Sequence, residues 1–262
     1  MKITILGSGS AAGVPSVSGG WGKCDPLNPK NHRRRVSILV EEGPTTILVD
    51  TSPDLREQML DAKLRRLDAV IYTHAHADHL HGLDELREMC RISQGPLQAY
   101  ATPETMKKIE GRFGYAFEGI PAGKPVFRPW LIPNLIEPAE KFAIGNIAVT
   151  SFLQDHGYGG TTLGFAFGDH ASGHVVYSTD LVDLPPASKA AIKGAKLWIL
   201  GVLGDMPYPT HVHVAKALEW IAELKPHRTV IIHMSNALDY DTLAVTLPVG
   251  VTPGYDGMVI EV

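Results

Sequence analysis

Leu67-Asp68-Ala69-Val70-Ile71-Tyr72 followed by Thr73-His74-Ala75-His76-Ala77-Asp78-His79 decides the fold. The first six residues are a short apolar run rich in Val, Ile and Tyr, the pattern of a strand buried in a sheet. The next seven then lie on the loop leaving the strand's C-terminal end, where α/β folds hold binding chemistry. Neutral imidazole and carboxylate are the ligand set for zinc, manganese or iron, and the His74/His76 alternation lets two rings converge on one ion. Asp78 and His79 are adjacent, so they point differently and could serve a second ion. The competing reading is a polar loop with accidental histidines; four potential ligands at this spacing argue against it.

Three later strands repeat the pattern. Ile147 to Leu153 runs into Gln154-Asp155-His156, Val175 to Ser178 into Thr179-Asp180, and Thr229 to Ile232 into His233. Each apolar run delivers a metal-capable residue at its C-terminal end. Upstream, Val36 to Val40 and Thr46 to Val49 read as a hairpin that ends at Asp50. Asp50 is either a carboxylate that orients a ligand histidine or a helix-start acid. Ser52 as N-cap and Pro53 at the first helical position start a helix through about Lys63.

The remainder is read more coarsely. Ile3 to Leu6 is a first strand, followed by Gly7-Ser8-Gly9-Ser10, small residues that allow a plain turn or a close-approaching wall of the site, with Ser10 a candidate substrate contact. Leu83 to Ile92 has helical spacing and makes Cys90 a core residue. Leu97 to Tyr100 is a strand, and Thr102-Pro103-Glu104 caps a helix to about Phe113. Residues 113–138 read as a long irregular loop, either pinned to the core by its aromatic residues or serving as a lid or homodimer surface. Phe142-Ala143 pairs with the strand at Ile147 over Gly145-Asn146. Val214 to Leu224 is an amphipathic helix preceded by Thr210-His211-Val212-His213. His213 is expected to be structural, and His81 to stand behind a metal ligand rather than be one.

The 262 residues, 44% apolar, suffice for one large core, and no linker divides them, so residues 1–262 are expected to form a single domain. A net charge of -4, with Arg33-Arg34-Arg35 the only dense basic run, argues against a polymeric nucleic acid partner. The longest apolar stretch, Leu197 to Leu203, is too short to cross a bilayer. Two distant cysteines and a brief apolar start point to a reduced, cytoplasmic protein.

His-x-His-x-Asp-His after an apolar strand is similar to the signature of the metallo-β-lactamase superfamily of hydrolases. The resemblance implies an α/β fold, a four-layer αββα sandwich, with a dinuclear metal site at one sheet edge. It also implies later His, Asp and His ligands, which His156, Asp180 and His233 match in order. On that pattern His74, His76 and His156 hold one divalent ion, Asp78, His79 and His233 the other, and Asp180 bridges them. Two such ions against two carboxylates leave roughly two net positive charges, a site for anions. Ions about 3.5–4 Å apart generate a bridging hydroxide and clamp attacking and leaving oxygens, which suits phosphodiester hydrolysis. His76 in place of Glu excludes the flavodiiron redox relatives, and Asp180 separates the chain from antibiotic-hydrolysing ones. Without thiolates the set fits zinc or manganese.

Beyond the ligands, Arg33-Arg34-Arg35, His211, His233-Met234-Ser235 and Tyr255-Asp256-Gly257-Met258 resemble the phosphodiesterase family accessory to the carbon–phosphorus lyase pathway. The resemblance implies small anionic phosphodiesters or nucleotides as substrates, cyclic nucleotides and ribosyl cyclic phosphates among them. It implies His211 as general acid and substrate contact, besides the metal-held Asp78. Arg35 is the candidate phosphate contact of the basic run, at least two of whose members are expected to be solvated or paired. That family carries a further structural zinc on cysteines and a histidine; here Cys24 stands alone and Asn236 replaces the histidine, so this zinc is not expected. A tRNA three-prime processing endonuclease is the runner-up, with no basic Gly-rich arm to support it. A nucleotide-binding metalloprotein without turnover is the third reading.

Overall fold

A computed structural model describes residues 1–169 and 173–262. Apolar runs form two sheets in chain order. The first contains β1 (Lys2–Gly7), β2 (Ser37–Glu42), β3 (Thr45–Val49), β4 (Ala69–Ile71), β5 (Leu97–Ala101) and β6 (Leu131–Leu135). The second contains β7 (Lys141–Ile144), β8 (Ile147–Asp155), β9 (Thr161–Phe167), β10 (Val175–Ser178), β11 (Leu197–Gly201), β12 (Thr229–Ile232) and β13 (Val251–Pro253). The last strand, β14 (Val259–Glu261), returns to the first sheet beside β1, giving spatial orders β14-β1-β2-β3-β4-β5-β6 and β13-β12-β11-β10-β9-β8-β7. Each sheet changes from antiparallel pairing to a parallel run, at β3–β4 in the first and at β10–β11 in the second.

Helices α1 (Leu55–Asp61), α2 (Ala77–Leu80), α3 (Leu86–Ser93) and α4 (Pro103–Phe113) belong to the first half, and α5 (Pro186–Ile192), α6 (Val214–Leu224) and α7 (Tyr240–Thr246) to the second. Period-two side-chain alternation splits the burial into three layers. Ile3, Ile38, Ile47 and Ile71 of one sheet meet Phe165, Tyr177, Ile199 and Val230 of the other in the central layer. Leu39, Leu48 and Val70 on the opposite face of the first sheet pack against Met59, Met89 and Ile109 of α1, α3 and α4. Trp198 and Leu200 of the second sheet pack against Ile192, Trp220 and Leu243 of α5, α6 and α7. The fold is therefore the expected αββα sandwich. Trp198 buries its ring and still satisfies its indole, Nε1 donating to Ser178 Oγ at 3.0 Å.

Several expected elements differ. The helix expected from Pro53 begins at Leu55, because Thr51 is held to the metal-loop segment by backbone bonds to His79 and Gly82. Ser52 Oγ instead accepts from Asp54 N. Residues 113–138 are not wholly irregular: β6 pairs in parallel with β5. Pro133 hides this strand in the sequence, since proline lacks a donor and is tolerated only at an edge, where β6 lies. Phe113, Phe117 and Trp130 pack on the outer layer of the first sheet, so the core-pinning reading holds for these aromatics. The helix expected at Val214 to Leu224 has those bounds as α6, with His213 as N-cap and His211 on the preceding loop. Among the described residues, no helix is long and apolar enough to cross a membrane.

Candidate metal centre

One edge of the sandwich collects the C-terminal ends of β3, β4, β8, β10 and β12, and with them Asp50, the residue 73–79 loop, His156, Asp180 and His233. Two groups of donors converge there. His74, His76, His156 and Asp180 form one, and Asp78, His79, Asp180 and His233 the other, the donor atoms in each lying within 4.8 Å of one another. Asp180 belongs to both and divides its oxygens between them. Oδ1 is 3.1 Å from His79 Nε2 and 3.1 Å from His233 Nε2. Oδ2 is 3.6 Å from His156 Nε2 and 3.8 Å from His74 Nε2. Donors on a tetrahedral ion with bonds near 2.05 Å would stand about 3.3 Å apart, so the spacing suits ligands around a cation.

Unsatisfied polar atoms make the same point. Nε2 of His74, His79 and His233 and Oδ2 of Asp78 are buried without a hydrogen-bond partner. Buried polar atoms ordinarily find partners, and four orphans aimed at two small volumes fit cations.

On His79 and His74 the opposite ring nitrogen is held, which leaves Nε2 of each as the lone-pair donor. Asp50, fully buried, accepts from His79 Nδ1 at 2.7 Å, from Thr73 N at 2.8 Å and from Thr73 Oγ1 at 2.8 Å. With its only proton committed to Asp50, Thr73 Oγ1 accepts from His74 Nδ1 at 2.9 Å. His156 Nδ1 donates to the Thr210 carbonyl at 2.7 Å. Each bond leaves Nε2 free to face an ion, as groups behind ligating histidines usually do. Asp50 thus takes the orienting role rather than that of a helix-start acid.

The protein groups alone set a strong field. Burial lowers His74 well below the ordinary histidine range, and neighbouring imidazoles add to this. Burial also opposes charge on His79, but the Asp180, Asp78 and Asp50 carboxylates overcome it and raise that imidazole well above its ordinary value. Burial pushes Asp180 upward, yet His233 and His79 hold it well below the carboxylate range. Backbone conformation is unusual at the same places. Asp50, Asp180 and His233 have φ of 61°, 52° and 57°, the left-handed region that non-glycine residues seldom enter.

The remaining expected site residues divide. His211 Nε2 lies 3.2 Å from Asp180 Oδ2, Nδ1 2.8 Å from Thr210 Oγ1, and the ring stacks on His233 at 4.9 Å between centroids. Ser10 is buried, and its N–H donates to the Met234 carbonyl at 3.2 Å, which sets the Gly-rich loop beside His233. Arg35 lines a groove with Pro53 and Asp78 but is ion-paired to Asp54 at 3.1 Å. Arg34 pairs with Asp61. Arg33 is buried, its guanidinium donating to Asn31 Oδ1 and the Ser235 carbonyl and lying 3.8 Å from Cys24 Sγ. His81, expected behind a ligand, is exposed, and its ring packs edge-on against Phe113. Sequence reasoning gave no role to Thr73, to the Thr210 carbonyl or to Gly159. A Cβ at Gly159 would lie 2.0 Å from His156 Cδ2, so only glycine leaves room for that ring.

Comparison with known proteins agrees with this geometry. Residues 45–234 match the beta-lactamase superfamily domain. A protein named octanoyltransferase from Porphyromonas gingivalis is 31% identical over 263 residues, a match covering 98% of this chain and 51% of that protein. The chain spans about half the length of the curated relatives it matches. The crystal structure of a diphosphatase from the PhnP family superposes with a TM-score of 0.88 at 28% identity, covering 100% of this chain and 97% of the other. Zinc-bound PqqB from Methylobacterium extorquens, at 21% identity, shares the fold with a TM-score of 0.77 over 100% of both chains.

Proposed function

We propose that this chain, which belongs to the metallo-β-lactamase superfamily of hydrolases, cleaves small phosphodiesters with two divalent ions, zinc or manganese. The reading rests on one observation: Asp180 turns one carboxylate oxygen to each of two ligand groups. His74, His76 and His156 would hold one ion, Asp78, His79 and His233 the other. When bound, such ions activate water near neutral pH and neutralise charge on phosphoryl oxygens. The similarity to a PhnP-family diphosphatase supports a small phosphoryl substrate, with cyclic nucleotides and ribosyl cyclic phosphates the classes to try first. About half of the Porphyromonas gingivalis relative lies outside the match, so its named acyl transfer is not carried over.

The chain's own residues would then divide the work. Asp50 and Thr73 keep His79 and His74 in one ring orientation, so the ligand atoms need no rearrangement during turnover. His211 carries a proton at Nε2, beside Asp180 Oδ2, within reach of a departing oxygen bound between the two groups. Thr210 fixes that ring from behind through Nδ1. The Gly-rich loop at Ser10 and the groove at Arg35 form one wall.

Metal-reconstituted protein should hydrolyse bis(p-nitrophenyl) phosphate and lose that activity on chelation. Absence of turnover with both ions bound would overturn the hydrolase reading in favour of a sensor. Efficient cleavage of pre-tRNA with a steep salt dependence would transfer it to the endonuclease.

A further inference from the structure

Three ligand histidines are aimed by a hydrogen bond on the far ring nitrogen: His79 by Asp50, His74 by Thr73 and His156 by the Thr210 carbonyl. His233 is not, for both of its ring nitrogens are buried without a hydrogen-bond partner. Its ring stacks on His79 and His211, at 5.9 and 4.9 Å between centroids, contacts that let a ring slide in its own plane. The aim of His233 therefore comes from its main chain, which enters the left-handed region at φ 57° and is held there by its surroundings. Met234 N donates to the Ser8 carbonyl and Ser235 N to the Leu203 carbonyl, each at 3.0 Å. The Ser235 carbonyl in turn accepts from Arg33 Nη1 at 3.0 Å, across 202 residues of chain.

Arg33 is a costly residue for that place. It is 2% exposed, and its Nε is buried without a partner. Its guanidinium meets the Ser235 carbonyl, Asn31 Oδ1 at 3.0 Å and Cys24 Sγ at 3.8 Å, none of them a carboxylate. Burial works against the charge, and a buried cation without a direct counter-ion is a poor source of stability. What the planar fork supplies is direction. One arm holds the Ser235 carbonyl and the other Asn31, whose Nδ2 donates to Asp239 Oδ2 at 2.7 Å, so both arms end on the segment that follows β12. The geometry points to Arg33 as a positioning residue for His233: its fork fixes the Ser235 carbonyl and so keeps the left-handed turn that aims the His233 ring. The inference rests on the dinuclear reading for the ion that His233 would hold. It gives the buried member of the basic run a task other than contact with phosphate.

Arg33→Met removes the fork at similar side-chain length. Both acceptors keep another partner, the Leu238 N–H at 3.3 Å for the Ser235 carbonyl and the Tyr240 N–H at 2.9 Å for Asn31, so the variant should fold. Zinc competition with graded chelators gives the first readout: the affinity of one ion should fall about tenfold while the other stays, as loss of a supporting group behind one ligand does. The second readout is NMR of histidine-labelled protein in the same zinc buffer, through long-range proton–nitrogen spectra. Wild type should show one set of His233 ring signals, and Arg33→Met a broadened or doubled set, with the His79 signals unchanged. Arg33→Lys, which keeps the charge and one donor, should show both effects to a smaller degree and decides the matter if Arg33→Met does not fold. Unchanged His233 signals, His79 signals disturbed to the same extent, or equal weakening of two bound ions would each overturn the positioning role. If the wild type fails to take up two zinc ions while the variant still disturbs His233 alone, the dinuclear reading falls and the role of Arg33 stands.

Discussion

The two ligand groups share Asp180 but differ in almost everything else. The group of Asp78, His79 and His233 is enclosed: His79 and His233 are at most 1% exposed, and Asp50 stands behind His79. Two carboxylates, Asp78 and Asp180, face one volume there. The group of His74, His76 and His156 has three imidazoles to one carboxylate, and its His76 lies open to solvent next to a recess lined by Lys108. On the proposed reading the first would keep a cation and the second would exchange ligands around one. Enclosure and a second carboxylate favour retention, while the exposure of His76 favours access.

The sharpest way to break this division is at the shared residue. Asp180→Ala should abolish phosphodiesterase turnover and bring metal content well below two ions per chain, measured by elemental analysis; retained activity would sink the bridging assignment. Next in size is His211→Ala. It should keep both metals yet slow alkyl or ribose leaving groups by about 10²–10⁴-fold, the usual contribution of a positioned acid. Nitrophenolate, which departs without a proton, should slow much less. Equal losses on both substrates would make His211 a phosphate contact instead.

Asp50→Ala tests the enclosure directly. Metal affinity should fall about 10–100-fold, confined to one ion, since Asp50 supports His79 from behind. Competition with a graded series of chelators reads it: one affinity should move and the other stay. Equal weakening of both ions would erase the distinction drawn between the groups.

The smallest effect concerns a carboxylate outside both groups. Asp256 accepts from Ser8 N and Oγ and from Arg34 N, each at 2.8 Å, yet burial outweighs these bonds and pushes it up to about 6. An acid raised in this way binds its proton more tightly in the folded state. Its contribution to stability is therefore complete below about pH 4 and is lost as pH rises through about 6. Relative to Asp256→Asn, which does not titrate, the wild type should lose up to about 3 kcal/mol between pH 4 and 7 in urea unfolding. A constant difference across that range would show Asp256 to be an ordinary carboxylate.

Much of the sandwich could be read from the chain, because a short apolar run ended by a metal-capable residue is both a buried strand and its functional end. Ile147 to Leu153 before His156 and Thr229 to Ile232 before His233 are such cases. The same rule fails where a strand lacks an apolar run. Pro133 masks β6, and the three-residue strands β13 and β14 are too short to have a period. The order of metal-capable residues at the strand ends was visible, while their division into two groups came only from the family resemblance and is matched by the two clusters at the sheet edge. What stands behind them was visible only in part. Asp50 stood out as an acid at a strand end, but the Thr210 carbonyl is backbone, which every residue has, and it leaves no mark on sequence. Gly159 is legible only once the His156 ring is in place.

The left-handed backbone at Asp50, Asp180 and His233 also bears on which sequences can reach this fold. Apart from glycine, Asn, Asp and His are the residues most enriched in that region, although Lys63, Gln94, Ala139 and Lys225 of this chain also enter it. At these three positions, then, the main chain screens the genetic alphabet before metal chemistry does, and the residues it admits are largely those with a donor atom close to the backbone. A library randomised there and selected for folding alone, with no metal supplied, should already be rich in Gly, Asn, Asp and His and poor in Val, Ile and Thr. A lineage that lost its activity would drift within that small set, one or two base changes from recovering it.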